Sequence, residues 1–164
     1  MAKKFVPQQF LNRELGQLEF NRRVLAQAED ATIPLLERLK YLCIVSSNLD
    51  EFFEIRVAGL KEQIKLGGIA TGADDMTAKQ TLKLVREQAR QLIERQYRVF
   101  DTDIIPALAG QGIRFLRRTQ WSEVQQAWIK DFFLREVMPV LTPIGLDPAH
   151  PFPRVLNKSL NFAV

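Results

Sequence analysis

The sequence has very little of the chemistry that disulfide bonds and soft metal ions require. It contains one cysteine, Cys43, and one histidine, His150. A single cysteine cannot form an internal disulfide, so a reducing compartment is its simplest setting. One thiol and one imidazole cannot supply the usual nitrogen and sulfur ligands of a zinc site. Because Cys43 shares the spacing of Leu39 and Leu42, we predict a small buried residue there rather than a nucleophile.

Long hydrophobic runs are also absent. A transmembrane helix needs about 18 or more consecutive apolar residues, and no such run occurs. The first ten residues, MAKKFVPQQF, carry two lysines but lack the apolar stretch of a signal peptide. We therefore expect a soluble, cytoplasmic protein with no transmembrane segment. The formal net charge of +4 is too small to demand a polyanionic partner or to exclude one.

The hydrophobic pattern predicts a mainly α fold, an antiparallel bundle of three long helices. The first is predicted over Arg13–Gln27 with Asn12 as its N-cap. The second opens at Pro34, where proline costs no hydrogen bond, and runs to about Leu66. The third begins at a capping box that starts with Thr77, and continues to about Ile105. Its predicted inward stripe consists of Leu82, Val85, Ala89, Leu92, Gln96 and Val99.

The sequence changes in character after Pro106 and Gly110–Gly112, which we interpret as a domain junction. Residues 1–108 are therefore predicted to form a helical N-terminal domain. Residues 109–164 are predicted to be the truncated beginning of an α/β domain. Its expected elements are a strand at Ile113–Leu116, a helix capped by Thr119, an extended segment at Val140–Ile144 and a strand through Leu160, Phe162 and Val164.

A polar cluster, Ser46–Glu51, interrupts the apolar pattern of the second helix. Ser47 or Asn48 could cap a new helix there, with Asp50 and Glu51 near the positive end of its dipole. Alternatively, the cluster is a binding site carried on a helical scaffold. The residues by themselves leave both explanations open.

Two other features suggest phosphate binding but have better explanations. The segment Gly67–Gly72 lacks the lysine and hydroxyl residue that follow the last glycine of a P-loop, so we interpret it as an interhelical turn. A basic stripe lies along one side of the third helix and consists of Lys79, Lys83, Arg86 and Arg90. Because Glu87 and Glu94 lie beside it, a solvated surface is favoured over a polyanion track. No aromatic residue is interleaved with the stripe, so nucleic-acid binding is not supported.

Four blocks of sequence, in order, resemble the N-terminal part of the bacterial polyphosphate kinases that act through a phosphohistidine. The blocks are NRELGQLEFNRRVL (12–25), PLLERLKYL (34–42), SSNLDEFFEIRVAGLKEQ (46–63) and LTPIGLDPAHPFPRVLNKSLNFAV (141–164). The resemblance covers nearly the whole chain and is weakest over Leu66–Asp75 and through the middle helices. It implies that these residues are the beginning of a much longer enzyme.

The resemblance implies reversible transfer of the terminal phosphate of ATP to polyphosphate, with Mg²⁺ as cofactor. It places the phosphorylated histidine, the charge-neutralising side chains and the magnesium ligands outside this chain, which should be inactive alone. His150 matches a loop of the second domain rather than the phosphorylation motif. ATP, ADP and polyphosphate are the implied ligands. The implied enzyme is a cytoplasmic homo-oligomer that can associate with membranes as a complex.

The resemblance assigns one site residue in this chain, Asn48. The asparagine of the family's SSNLDEF block is associated with the adenine of ATP, and an amide offers both a donor and an acceptor. We therefore expect this part of the chain to form an adenine-side wall and a dimer surface. Asp50 and Glu51 are expected to cap the helix or to pair with Arg56 and neighbouring chains, not to bind metal. The chain has Gln17 where the family commonly has tryptophan, which puts the packing at that position in doubt.

Two functions from other classes remain open at this stage. One is a non-catalytic helical module that binds a protein partner. The other is a nucleic-acid-binding domain, which is weaker because the sequence shows no helix-turn-helix, ribonucleoprotein motif or basic tract.

Overall fold

The computed structural model of this protein describes residues 6–67, 72–149, 151–156 and 159–163 and contains two units. Three helical columns, each a single helix or a run of consecutive helical segments, make up the first unit. The units are Met1–Phe115 and Leu116–Val164. In the first unit a short 3-10 turn, Pro7–Gln9, precedes the columns. The first column is helix α1, Arg13–Glu29. The mainly α fold predicted from the sequence is confirmed.

The second column is continuous and contains no break at the polar cluster. Helix α2, Leu35–Glu51, passes into a π-helical segment, Phe52–Val57, and then into α3, Ala58–Lys65. Of the two explanations that the sequence left open, the one in which Ser47 or Asn48 caps a new helix is therefore wrong. Local capping was not needed, because polar side chains of the cluster bond to neighbouring helices instead.

The third column is longer than predicted. Helix α4, Ala78–Val99, continues through a π-helical segment, Phe100–Ile104, into α5, Ile105–Gly110. Pro106 does not end the column, because it lies in the first turn of α5, directly after the wider π turn, where its missing N–H is tolerated. The end comes at Gly112, whose φ of 82° terminates the helix.

Side-chain caps were predicted at two of the three helix starts, and the structure contains both of them. The Asn12 Oδ1 atom accepts a hydrogen bond from the Leu15 N–H at 3.1 Å. The Thr77 hydroxyl accepts from the Gln80 N–H at 3.3 Å, and the Gln80 side chain accepts from the Thr77 N–H at 2.9 Å. Such caps satisfy amides that have no partner inside the helix. The Asn12 and Thr77 predictions are confirmed.

Interhelical hydrogen bonds define the helix directions. The Asn21 side chain of α1 donates to the Val45 carbonyl of α2, and the Arg38 guanidinium of α2 donates to the Ala28 carbonyl of α1. Since the residue numbers change in opposite directions, α1 and α2 are antiparallel. The bonds from Asn12 to Thr81 and from Arg95 to Glu29 place α4 parallel to α1. The columns therefore alternate in direction along the chain, as predicted.

The core lies between the columns and contains the whole predicted stripe of α4. On α1 the buried residues are Leu18, Asn21, Leu25 and Ala28. Phe20, on the same helix, is 52% exposed. Cys43 is exposed, so its predicted burial is wrong. The reason is angular: Leu42, Val45 and Leu49 face the core, and Cys43 is rotated about 100° from Leu42 on a helix of 3.6 residues per turn.

The second unit begins its regular structure later than predicted. A 3-10 turn at Arg118–Gln120 contains Thr119, which is not the cap of the following helix. Helix α6, Glu123–Phe132, is capped by Ser122, whose hydroxyl accepts from the Gln125 N–H at 3.3 Å. Ser122 has the glutamine three residues later that completes a capping box, whereas the residue three after Thr119 is a serine. A π-helical segment, Phe133–Val137, and a 3-10 turn, Met138–Val140, follow.

Neither unit contains a strand within the described part of the chain. The predicted strand at Ile113–Leu116 and the extended segment at Val140–Ile144 form no ladder, because a strand requires a hydrogen-bonded neighbour. Residues 159–163 are irregular, and Val164 lies outside the described residues. The division between residues 108 and 109 stays a prediction, with Leu108 lying inside α5.

Candidate functional site

Asn48 is held by a buried asparagine of the neighbouring helix. Its Nδ2 atom donates to the Asn21 Oδ1 atom at 3.0 Å. Asn21 is only 3% exposed, and its own Nδ2 atom donates to the Val45 carbonyl at 3.1 Å. Asn48 itself is half-buried. Within the described residues no hydrogen bond reaches the Asn48 Oδ1 atom, so this acceptor is available to a ligand.

A second buried amide serves the same polar cluster from the opposite side. The Gln96 Nε2 atom of α4 donates to the Leu42 carbonyl at 3.0 Å and to the Ser46 hydroxyl at 2.7 Å. Buried polar groups are costly unless they are hydrogen-bonded, and these bonds satisfy them. The polar cluster is thus an interhelical layer that fixes α2 between its two neighbours.

The acidic residues of the cluster make no comparable side-chain bonds within the part of the chain that the structure describes. Asp50 and Glu51 are both exposed, and no ion pair joins either one to Arg56 among the residues that the structure describes. The predicted pairing with Arg56 is therefore not present. Within the same residues, no group of three or more histidine, cysteine, aspartate or glutamate side chains could hold a metal ion.

Asn48 lines neither of two concave surfaces found among the described residues of the first unit. One, of about 560 Å³, lies between the N-terminal segment and α1 and includes Phe10, Leu15 and Phe20. The other, of about 900 Å³, lies along α4 and includes the whole predicted basic stripe.

The basic stripe has the features of a solvated surface. The Arg90 Nε atom donates to the Glu94 carboxylate at 2.8 Å, one turn along α4. This hydrogen bond raises the pKa of Arg90 above its ordinary value. Both side chains are largely exposed, so the pair contributes little to folding.

Two residues singled out in the sequence carry less information in the structure. His150 lies outside the described residues. Gln17, which replaces the family's tryptophan, is half-buried on α1. None of the described helices combines the length and apolar character needed to cross a membrane.

Sequence reasoning missed Asn21 as a residue of this site. Asn21 could have been found because it is a polar residue on the buried side of α1, three positions after Leu18 and four before Leu25. A polar side chain that is buried there needs a hydrogen-bond partner. Gln96 was assigned to the inward stripe of α4, but its partners on α2 could not be identified from spacing. Pairings between helices depend on how the columns pack, which local patterns do not specify.

The fold and the site define a helical domain that presents one half-buried amide held in position by a hydrogen bond. Comparison with known sequences assigns the family. The "Polyphosphate kinase N-terminal domain" matches residues 10–116, and the "Polyphosphate kinase middle domain" matches residues 124–164. The chain belongs to the polyphosphate kinase family.

Individual relatives agree with this assignment. The chain is 58% identical over 154 residues to a polyphosphate kinase of Burkholderia multivorans, covering 94% of this chain and 22% of that protein. It is 56% identical to one of Paraburkholderia phytofirmans, with the same coverage. The crystal structure of the polyphosphate kinase from Porphyromonas gingivalis matches with a TM-score of 0.73 and 34% identity, covering 88% of this chain and 21% of that one. The chain thus spans about a fifth of the length of these relatives.

Proposed function

We propose that this chain is the N-terminal part of an ATP:polyphosphate phosphotransferase and that Asn48 contributes to the adenine-side wall of its ATP site. The enzyme would make inorganic polyphosphate reversibly from ATP through a phosphorylated histidine. Membership of the family supports the reaction class. The observation that carries the role of Asn48 is its geometry, a half-buried amide held through its nitrogen with its oxygen uncommitted.

The chemistry of adenine fits this geometry. The Asn48 Oδ1 atom can accept a hydrogen bond from the exocyclic amino group of the base. Ile44 lies one helical turn before Asn48, on the same side of α2, and is 36% exposed. Its side chain offers apolar surface to the ring. Because Asn48 lines neither cavity, we assign it to one wall and leave the others to further parts of the full-length enzyme.

We assign no catalytic residue and no magnesium ligand to this chain. Phosphoryl transfer depends on positioning and on neutralising charge around the phosphates, which requires cations and a nucleophile close together. The described residues contain no cluster suited to Mg²⁺, and the acidic pair beside Asn48 would repel phosphate groups. The phosphates should therefore point away from α2, toward later domains.

Part of the proposal concerns a surface for self-association. Leu11 and Phe20 are 90% and 52% exposed and border the concave surface beside α1. Exposed apolar side chains grouped in this way are typical of protein contacts. This supports a dimer surface within a homo-oligomeric enzyme. The same observation favours the alternative function, a non-catalytic module that binds a protein partner.

Replacing Asn48 tests the nucleotide role. In the full-length enzyme, Asn48→Ala should raise the KM for ATP by about tenfold, because a hydrogen bond worth about 1 to 2 kcal/mol is lost. The kcat should change little, since the base lies far from the transferred phosphate. Steady-state kinetics at varied ATP concentration make the measurement. Ser47→Ala is the matched control, because Ser47 is the exposed neighbour on the same helix.

An unchanged KM in the Asn48 variant would remove this residue from the ATP site. Self-association or capture of a protein partner by a chain that binds no nucleotide would favour the interaction module. The two functions therefore predict different results in the same set of measurements.

A further inference from the structure

We propose that Asn21 is a positioning residue that locks the orientation of the Asn48 amide and thereby makes the site prefer adenine to 6-oxopurine nucleotides. This inference rests on the proposed function, because it assumes that Asn48 faces the base. It adds a residue that touches no nucleotide. Its basis is the direction of two consecutive hydrogen bonds.

The first bond fixes Asn21. A backbone carbonyl can only accept hydrogen bonds, so the group that faces the Val45 oxygen at 3.1 Å must be the Asn21 Nδ2 atom. The Oδ1 atom of Asn21 must then point the other way, toward Asn48. At 3% exposure, Asn21 has little access to water that could satisfy the opposite orientation.

The second bond fixes Asn48. The Asn21 Oδ1 atom is an acceptor, so the group that faces it at 3.0 Å must be the Asn48 Nδ2 atom. Rotating the Asn48 amide by 180° would bring two carbonyl oxygens together and leave both without a donor. An unmade hydrogen bond at a buried position is costly. The Val45 carbonyl thus fixes the orientation of the Asn21 amide, and the Asn21 amide fixes the orientation of the Asn48 amide.

The consequence is a fixed acceptor on the ligand side. The 6-amino group of adenine is a donor and matches the Asn48 Oδ1 atom. Guanine and hypoxanthine carry an oxygen at that position, which would face another oxygen. An asparagine that rotates freely would accept either kind of base by presenting its nitrogen or its oxygen. The preference for adenine over 6-oxopurines therefore depends on the hydrogen bond between Asn48 and Asn21 as well as on Asn48 itself.

The test uses the full-length enzyme and compares kcat/KM for ATP and ITP in four variants. The variants are Asn21→Leu, Asn48→Ala, the double variant, and Gln96→Leu as the matched control. Gln96 is also a buried amide that holds α2, but its bonds go to Leu42 and Ser46. Asn21→Leu should lower the ATP to ITP preference by about tenfold, since a site that can pair either base no longer discriminates. Gln96→Leu should leave the preference unchanged.

The double variant separates positioning from general damage. If Asn21 acts through Asn48, then adding Asn21→Leu to Asn48→Ala should not change the nucleotide preference further. A further change would overturn the inference. Equal losses for both nucleotides in Asn21→Leu and Gln96→Leu would also overturn it, because the role of Asn21 would then be structural.

The unmodified enzyme provides a test that does not depend on a variant folding. Purine riboside triphosphate has hydrogen in place of the 6-amino group. If the Asn48 Oδ1 atom always faces the base, kcat/KM should be highest for ATP, lower for purine riboside triphosphate and lowest for ITP. A higher kcat/KM for ITP than for purine riboside triphosphate would show that the Asn48 amide rotates, and would overturn the inference. If Asn48→Ala leaves every nucleotide unaffected, the proposed function fails; if it alters ATP use but Asn21→Leu leaves the preference intact, only this inference fails.

Discussion

At the scale of single residues, the structure shows how polar side chains inside an apolar bundle obtain hydrogen-bond partners. Asn21 and Gln96 are both buried, and each donates to a backbone carbonyl of α2 as well as bonding to a side chain there. Their hydrogen-bond partners could not be predicted from the sequence, because these contacts join residues at least 24 positions apart. What the sequence did contain was the polar cluster to which they bond.

A titratable residue in the turn between α1 and α2 gives a prediction about pH. The Asp30 carboxylate accepts from the Thr32 hydroxyl at 2.7 Å and from the Thr32 N–H at 2.8 Å. These bonds, led by the hydroxyl, lower the pKa of Asp30 below its ordinary value of 3.8. The stabilisation is therefore present above that value and is lost as the pH falls through the lower pKa of the folded state.

Thr32→Val removes the hydroxyl and keeps the backbone donor. Between pH 5 and about pH 2, where carboxylates protonate, the free energy of unfolding of the variant should fall less steeply than that of the unmodified protein. Urea unfolding at a series of pH values makes the comparison. Parallel pH profiles for the two proteins would show that this hydrogen bond has no part in acid stability.

At the scale of elements, the long amphipathic helices could be predicted and their ends only in part. The stripe of α4 repeats over 18 residues, from Leu82 to Val99, and all its members are buried. Caps at Asn12 and Thr77 followed from local rules. The continuation through Pro106 did not, because a π-helical segment before the proline has no simple sequence pattern. The second column is continuous through Ser46–Glu51, because those polar side chains bond to other helices rather than capping a new one.

The end of the third column provides a stability prediction. Gly112 has a φ of 82°, and its N–H donates to the Ala109 carbonyl while the Ile113 N–H donates to the Leu108 carbonyl. This is the Schellman arrangement, which favours glycine. Gly112→Ala should lower the free energy of unfolding by about 1 kcal/mol, because a left-handed conformation is unfavourable for residues with a Cβ atom.

A second glycine is the matched control. Gly59 lies inside α3, its φ is not positive, and a Cβ atom there would meet nothing within 4 Å. Gly59→Ala should raise the free energy of unfolding by about 0.5 to 1 kcal/mol, because alanine favours the helix. Denaturant unfolding measures both changes. Equal shifts in the same direction would contradict this explanation of the column end.

At the scale of the whole molecule, the described chain is a helical unit followed by a second unit with no strand among its described residues. The family could be identified from the sequence because four blocks occur in the right order. The strands predicted for residues 109–164 could not form a ladder without neighbouring strands. Under the proposed function, the residues that bind the phosphates and any metal ion belong to later domains of the full-length enzyme.

The isolated 164-residue chain should therefore not transfer phosphate. Incubated with radiolabelled ATP and Mg²⁺, it should acquire no acid-labile phosphate and form no polyphosphate, because no catalytic group is assigned to it. The full-length enzyme is the positive control. Phosphorylation of the isolated chain would contradict the assignment of catalysis to other domains.

The most direct test of the central claim is a crystal structure of the full-length enzyme with a non-hydrolysable ATP analogue. We expect the adenine amino nitrogen to lie about 2.7 to 3.2 Å from the Asn48 Oδ1 atom, the normal range for such a hydrogen bond. The Asn48 Nδ2 atom should remain bonded to Asn21. An adenine ring bound away from α2, with Asn48 facing solvent or another domain, would show that Asn48 does not bind the base.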